Sequence, residues 1–209
     1  VVLAGAGRAF CAGVDLAELK AHQAAQAAAR AGEASGAAAP AAAATRPQLG
    51  EEEFLRKLPL DLVEFPKPVI AAINGPAIGV GVTMTLPCDV RLAAESASLG
   101  LTFAKLGLLP GLGSTHLLPR LVGMAKALEL VLTARVLPAA EAAEMGLVNR
   151  VVPATDLLPA AHERARAMAA HRPEVLAAAK AALRFGAGAT MADAMRHEQE
   201  ASAALRRRS

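Results

Sequence analysis

The chain contains no tryptophan and no tyrosine, and its only aromatic rings besides histidine are five phenylalanines. At 209 residues it is long enough for one domain with a large core. That core must be built from Ala, Leu and Val, which favours helices packed closely on a sheet. Cysteine is nearly absent. Cys11 and Cys88 cannot form a disulfide framework and lack metal-ligand spacing. Both thiols are expected to be buried and reduced, in a reducing compartment such as cytoplasm, mitochondrion or peroxisome. The five histidines (His22, His116, His162, His171, His197) are scattered, which argues against a metal site. No apolar run approaches the roughly 20 residues that cross a bilayer. The net charge of +3 is too small to imply nucleic acid, and Arg206 to Arg208 read as a solvated tip.

What is present is alternation. Val1 to Ala4 reads as a buried strand ending at Gly5-Ala6-Gly7. Val69 to Ile73 reads as a second strand, buried on both faces and stopped by Asn74-Gly75-Pro76. Gly79 and Gly81 follow, and Val80 to Leu86 reads as a buried helix whose first N–H groups point outward unsatisfied and attract negative charge. Between the two strands, a helical pattern starts near Leu16, and Glu51 to Phe65 is an amphipathic helix with Phe54, Leu55, Leu58, Leu62 and Phe65 on one side. Residues 21–50 form an Ala-rich insert. Its first part, to about Ala31, suits a helix, and Gly32 to Gly50 has no periodicity and reads as disordered. The insert is not a domain boundary, because the strands on either side read as one sheet.

Farther along, strands are expected at Val90 to Ala93, Leu99 to Thr102 and Leu147 to Val152. Helices are expected at Met124 to Leu132 and Pro138 to Met145, with another after the second glycine-rich turn, Gly111 to Thr115. Three helices close the chain, from about Asp156 to Ala170, Glu174 to Phe185 and Met191 to Arg207. Thr155-Asp156 is expected to cap the first, and Pro173 suits a first turn. The order predicts an α/β core over residues 1–153 and a helical segment over 154–209. The strand-then-Gly5-Ala6-Gly7 opening is not a dinucleotide fingerprint, because Phe10 occupies the third glycine position, where a bulky side chain would obstruct helix–strand packing.

Four stretches in this order and spacing, GRAFCAGVDL (Gly7 to Leu16), KPVIAAINGPAIGVGV (Lys67 to Val82), CDVRLA (Cys88 to Ala93) and LGLLPGLGSTHLLPRLVG (Leu106 to Gly123), continue into LTARVLPAAEAAEMGLVNRVVP (Leu132 to Pro153). On these the chain resembles the enoyl-CoA hydratase/isomerase (crotonase) superfamily, everywhere except the Ala21 to Gly50 insert. The resemblance implies a spiral of ββα repeats and a helical C-terminal segment. It also implies an acyl-CoA substrate of fatty acid metabolism, coenzyme A as part of that substrate with no tightly bound cofactor, and a homotrimer or dimer of trimers. By position, the backbone N–H groups of Val14 and Val80 would hold the thioester oxygen. Ala12, Gly13, Asp15, Leu16, Ala77, Gly79, Gly81, Phe103, Leu106, Pro110 and Gly111 would line the substrate.

The carboxylates implied by the resemblance are missing. A hydratase of the family carries Glu where this chain has Thr83 and again where it has Phe103, and several isomerases carry an acid where it has Gly111. None of the three shuttles a proton as a carboxylate would. The only acids between Pro66 and Gly123 are Asp89 and Glu95. Asp89 is expected to cap or ion-pair, Glu95 to be solvated, and Asp15 to cap the helix from Leu16. Thr83, which can orient a water, and His116, which can titrate near neutrality, remain as candidates.

Three functions follow. The first is a hydratase or isomerase with an unconventional proton shuttle, the second a non-catalytic acyl-CoA-binding member. The third, a structural or RNA-associated subunit, has only the basic tail for support. The family also implies a strand pair and helix ahead of Val1 and a further helix after the last. Val1 opens without an initiator Met, so the chain reads as a fragment or processed product, and a targeting peptide stays open.

Overall fold

The computed structural model describes residues 1–34 and 53–207. Four short strands form a parallel sheet in the order β1–β2–β4–β7, with β1 at Val2–Ala4, β2 at Ile70–Ile73, β4 at Val90–Ala94 and β7 at Arg150–Val152. Ala71 pairs with Leu3 on one side and with Arg91 on the other. Strands before and after the insert therefore belong to one sheet, as expected. Every residue of β2 is buried. β1 is only half-buried, because it is an edge strand with a neighbour on one side alone.

Strand alternation divides the core in two. Ile70, Ala72, Leu92 and Ala94 pack with Leu157 and Ala161 of α7 (Leu157–Ala169). Ala71, Ile73 and Ala93 face the larger cluster, which contains Val82, Leu99, Leu118, Leu130 and Leu137. A second sheet lies there, β3–β5–β6, with β3 at Ala77–Ile78, β5 at Ser98–Gly100 and β6 at Val136–Pro138. Ala77 pairs in parallel with Leu99, and Leu99 antiparallel with Leu137. β3 and β6 were not expected from sequence, since runs of two or three residues carry no periodicity.

The helices follow the sequence pattern closely. α1 spans Leu16–Ala34, somewhat beyond the expected Ala31, and Ala favours that continuation. The rest of the Gly32 to Gly50 stretch, the side chain of Phe54 and Arg208 lie outside the described residues. α2 is Glu53–Glu64 and α3 is Val80–Thr83. α3 is shorter than the expected Val80 to Leu86, and the chain continues as turns to Asp89. After Gly100 the chain makes a 3₁₀ turn over Thr102–Leu106, so the strand ends before Thr102. α4 (Ser114–Val122) and α5 (Met124–Thr133) add Leu118, Val122, Ala127 and Leu130 to the larger cluster, and α6 (Ala139–Glu144) packs on β5 and β6. α8 (Pro173–Gly186) and α9 (Met191–Arg206) close the chain. Pro173 stands at the start of α8 as expected. Asp156 makes no side-chain cap; its carboxylate accepts from Thr155 Oγ1 instead. Thr190 is the capping residue at this end, its hydroxyl accepting from the Asp193 N–H at 3.2 Å.

α8 is fastened to the core by charge. Asp89 Oδ2 accepts from Lys180 Nζ at 2.8 Å and from the Val69 N–H at 2.7 Å, and Oδ1 accepts from Arg184 at 2.9 Å. Arg184 also donates to the carbonyls of Leu62, Val63 and Pro87. The ion-pair role expected of Asp89 is what the geometry shows. Behind it Arg91, 4% exposed, donates to the carbonyls of Cys88 at 2.7 Å and Leu147 at 2.9 Å, which ties the 84–89 turn to the segment ahead of β7. Burial pushes the Arg91 guanidinium below its usual value.

Candidate functional site

The site is a place where two chain segments meet backbone to backbone. Phe10 and Cys11 donate their N–H groups to the Pro76 carbonyl, both at 3.1 Å, and the Ile78 N–H donates to the Cys11 carbonyl at 2.9 Å. Cys11 and Ala77 form an isolated parallel bridge. Asn74, which reads in the sequence only as a turn residue, holds the glycine turn before this bridge. Its Oδ1 accepts from the Gly5 N–H at 3.0 Å and its Nδ2 donates to the Gly7 carbonyl at 3.0 Å.

Contact is closest at Gly81, where an added β-carbon would lie 2.3 Å from the Cys11 carbonyl oxygen. Gly79 has φ of +56° and turns the chain from β3 into α3, a conformation glycine adopts without steric cost. Its N–H donates to the Gly100 carbonyl at 2.7 Å, and its carbonyl accepts from the N–H groups of Val82 and Thr83. The amides next in line, Val80 after Gly79 and Val14 after the positive-φ Gly13, have no acceptor among the described residues. Each is the residue singled out from the sequence.

The other candidates fall into distinct places. Phe103, 7% exposed, stands over the turn: its Cζ would be 3.7 Å from a β-carbon on Gly79. Thr83 is fully buried and its hydroxyl donates to the Val80 carbonyl at 3.3 Å, so that hydroxyl serves the first turn of α3. Ala77 is also fully buried, paired with both Cys11 and Leu99. Gly111 is exposed, and a β-carbon there would meet nothing within 4 Å. Leu106 and Pro110, both ahead of it in the chain, are half-buried, Ala12 and Leu16 are exposed, and His116 is exposed on α4. The Asp15 carboxylate accepts from the N–H groups of Ala17 at 2.8 Å and Glu18 at 3.1 Å, which makes it the cap of α1 as expected. Glu95 is exposed.

Both cysteines are free; Cys88 is buried, and Cys11 is half-buried rather than buried because it lies at the bridge between the segments. Burial pushes the Cys88 thiol up to about 11. Among the described residues no three His, Cys, Asp or Glu side chains converge to hold a metal, and no helix is long and apolar enough to cross a membrane.

The sequence profile of enoyl-CoA hydratase/isomerase matches residues 34–207. The chain belongs to that family. It is 38% identical over 208 residues to a putative enoyl-CoA hydratase/isomerase of Bacillus subtilis, an overlap covering 96% of this chain and 70% of the relative. It is 41% identical over 147 residues to the human mitochondrial enoyl-CoA hydratase domain-containing protein 2, covering 68% of this chain and 49% of that protein. The chain thus spans about half the length of the human relative. Among solved structures, an enoyl-CoA hydratase from Bacillus anthracis superposes with a TM-score of 0.76 at 39% identity, over 96% of this chain and 70% of the other. The crotonase-like α/β fold and the superfamily named by the sequence resemblance are therefore established.

Proposed function

We propose that the chain binds acyl-CoA thioesters with the thioester oxygen between the N–H groups of Val14 and Val80, and that it stabilises the enolate formed when the α-carbon loses a proton. The observation that carries this reading is the pair of amides without acceptors, held on two segments locked together at Cys11, Ala77 and Gly81. The oxygen gains negative charge as the enolate forms, so fixed donors aimed at it act mainly on the transition state; one such donor is worth roughly 2.7–4 kcal/mol of barrier. The reaction type is hydratase/isomerase-like, with proton transfer routed through water or His116 instead of a family carboxylate.

A second reading, acyl-CoA binding without turnover, has its own observation. Thr83 is sealed in the core, Phe103 is apolar and Gly111 has no side chain, so the three positions that carry acids in relatives supply no base. The reading also includes a homotrimer or dimer of trimers in a reducing compartment. Support comes from the exposed row Met124, Leu128 and Leu132 on α5 and from the free thiols.

The deciding experiment takes a panel of 2-enoyl-, 3-enoyl- and saturated acyl-CoA thioesters and measures binding, turnover and uptake of deuterium at the α-carbon from heavy water. Deuterium uptake with tight binding supports enolate stabilisation. Tight binding with neither uptake nor turnover leaves the binding-only reading. Failure to bind any thioester sinks both.

A further inference from the structure

Between α1 and the segment after the 3₁₀ turn lies a cleft of about 350 Å³. Its inner end is apolar: Leu19 is 2% exposed, and Leu108 packs on the larger core cluster. Its outer end is polar. His22 and Gln26 are half-buried and hydrogen-bonded to each other at 2.9 Å, and Arg30 lies one turn beyond them. Leu19, His22, Gln26 and Arg30 recur at spacings that put them on one face of the helix. From Leu19 to Arg30 that face runs about 16 Å along the axis.

Each wall of the cleft is connected to one of the turns that carry the amides. α1 starts two residues after Val14. The Leu108 N–H donates to the carbonyl of Phe103, whose ring stands over Gly79. Gln23 Nε2 donates to the Leu106 carbonyl at 3.0 Å, fastening one wall to the other. A chain leaving the amide pair through this cleft passes Leu19 and Leu108 first and meets the polar end last.

Among the described residues no acidic side chain lines the cleft, and none pairs with Arg30. An alkyl end would take water from His22, Gln26 and Arg30 and return no hydrogen bond, which opposes binding. A terminal carboxylate would receive the forked donors of the guanidinium, whose geometry matches it, together with the Gln26 amide beside it. We infer that this cleft selects acyl-CoA thioesters whose acyl chain ends in a carboxylate. The inference rests on the acyl-CoA reading of the site.

Titration calorimetry on the whole chain tests it, with adipyl-CoA and suberyl-CoA set against hexanoyl-CoA and octanoyl-CoA. The ω-carboxyl thioesters are expected to bind about tenfold more tightly than their alkyl counterparts, and Arg30→Ala to bring that ratio close to one. Arg30 is exposed on a helix and Ala is the best helix former, so the variant keeps the fold. Alkyl thioesters binding as tightly as ω-carboxyl ones would overturn the inference. So would an equal loss for both classes in Arg30→Ala, which would assign Arg30 to the phosphates of coenzyme A. In either case the acyl-CoA reading survives; binding of no thioester at all defeats that reading itself.

Discussion

A β-carbon on Gly81 would stand 2.3 Å from the carbonyl oxygen of Cys11, closer than any real side chain approaches backbone. The two strand-to-helix turns that carry Val14 and Val80 pack at this distance because one of them has no side chain at the contact. Gly81→Ala must push the segments apart at a backbone atom, with no flexible group to yield. A loss of about 1–3 kcal/mol, or more, is expected in urea unfolding, because overpacking a close-packed interior costs that much. Thioester binding should weaken in the fraction that folds. A variant with unchanged urea midpoint would contradict the packing described.

Val80→Pro isolates the backbone donor. Proline lacks the N–H, and its fixed φ is tolerated at the first position of a helix, which Val80 occupies in α3. Val80→Ala is the control that keeps the amide. α-Proton exchange, or turnover where present, should fall roughly 10²–10³-fold in the proline variant and little in the alanine one. Equal rates in two folded variants would remove Val80 from the proposed hole.

Asp89 is the anchor of α8. Asp89→Ala strands Lys180, whose side chain is 9% exposed, and leaves the Val69 N–H without its acceptor. A loss of about 3 kcal/mol is expected, discounted from the full cost of breaking a buried pair because the Asp89 side chain is itself 20% exposed. Limited proteolysis should then cut within α8 and α9 first. A double-mutant cycle with Lys180→Met should recover part of the loss; strict additivity would show that the pair is not coupled.

The Cys88 thiol, pushed by burial from its ordinary 9.0 to about 11, makes stability fall at alkaline pH. Below pH 9 the thiol keeps its proton in both states. Between about 9 and 11 the unfolded chain loses that proton first, so unfolding gains roughly 2–3 kcal/mol across the window. Cys88→Ala should flatten this decline although it lowers stability at neutral pH. With no tyrosine in the chain, no phenol titrates in the same range. Parallel pH slopes in the two proteins would refute the assignment.

Gly111→Asp places a carboxylate where the family resemblance puts the acid of several isomerases. The position is open, its φ is not left-handed, and aspartate suits a turn. Conversion of 3-enoyl- to 2-enoyl-CoA should rise by about 10²-fold or more in a variant as stable as the parent. Thr83→Glu is the poorer route, because a longer, charged side chain would enter a site with no exposed surface. No gain with Gly111→Asp in a protein that binds the thioester would argue against the placement of Gly111 at the reacting carbon.

Local pattern alone determined much of this protein. The Val-, Ile- and Ala-rich run at Ile70–Ile73 had to be a buried strand, and Asp15 and Pro173 sit at helix starts where their chemistry fits. The family was legible too, because glycines such as Gly75 and Gly81 stand where a β-carbon would meet backbone. Only the tertiary structure decided the rest. The second sheet was invisible, since two-residue and three-residue strands exist through partners distant in sequence. Asn74 looked like a turn residue, and only the fold brings the Gly5–Gly7 turn within reach of its amide. Thr83, an open candidate in the sequence, has no access to solvent in the folded chain. Burial and long-range pairing depend on what arrives from elsewhere in the chain, and no window of local sequence contains that.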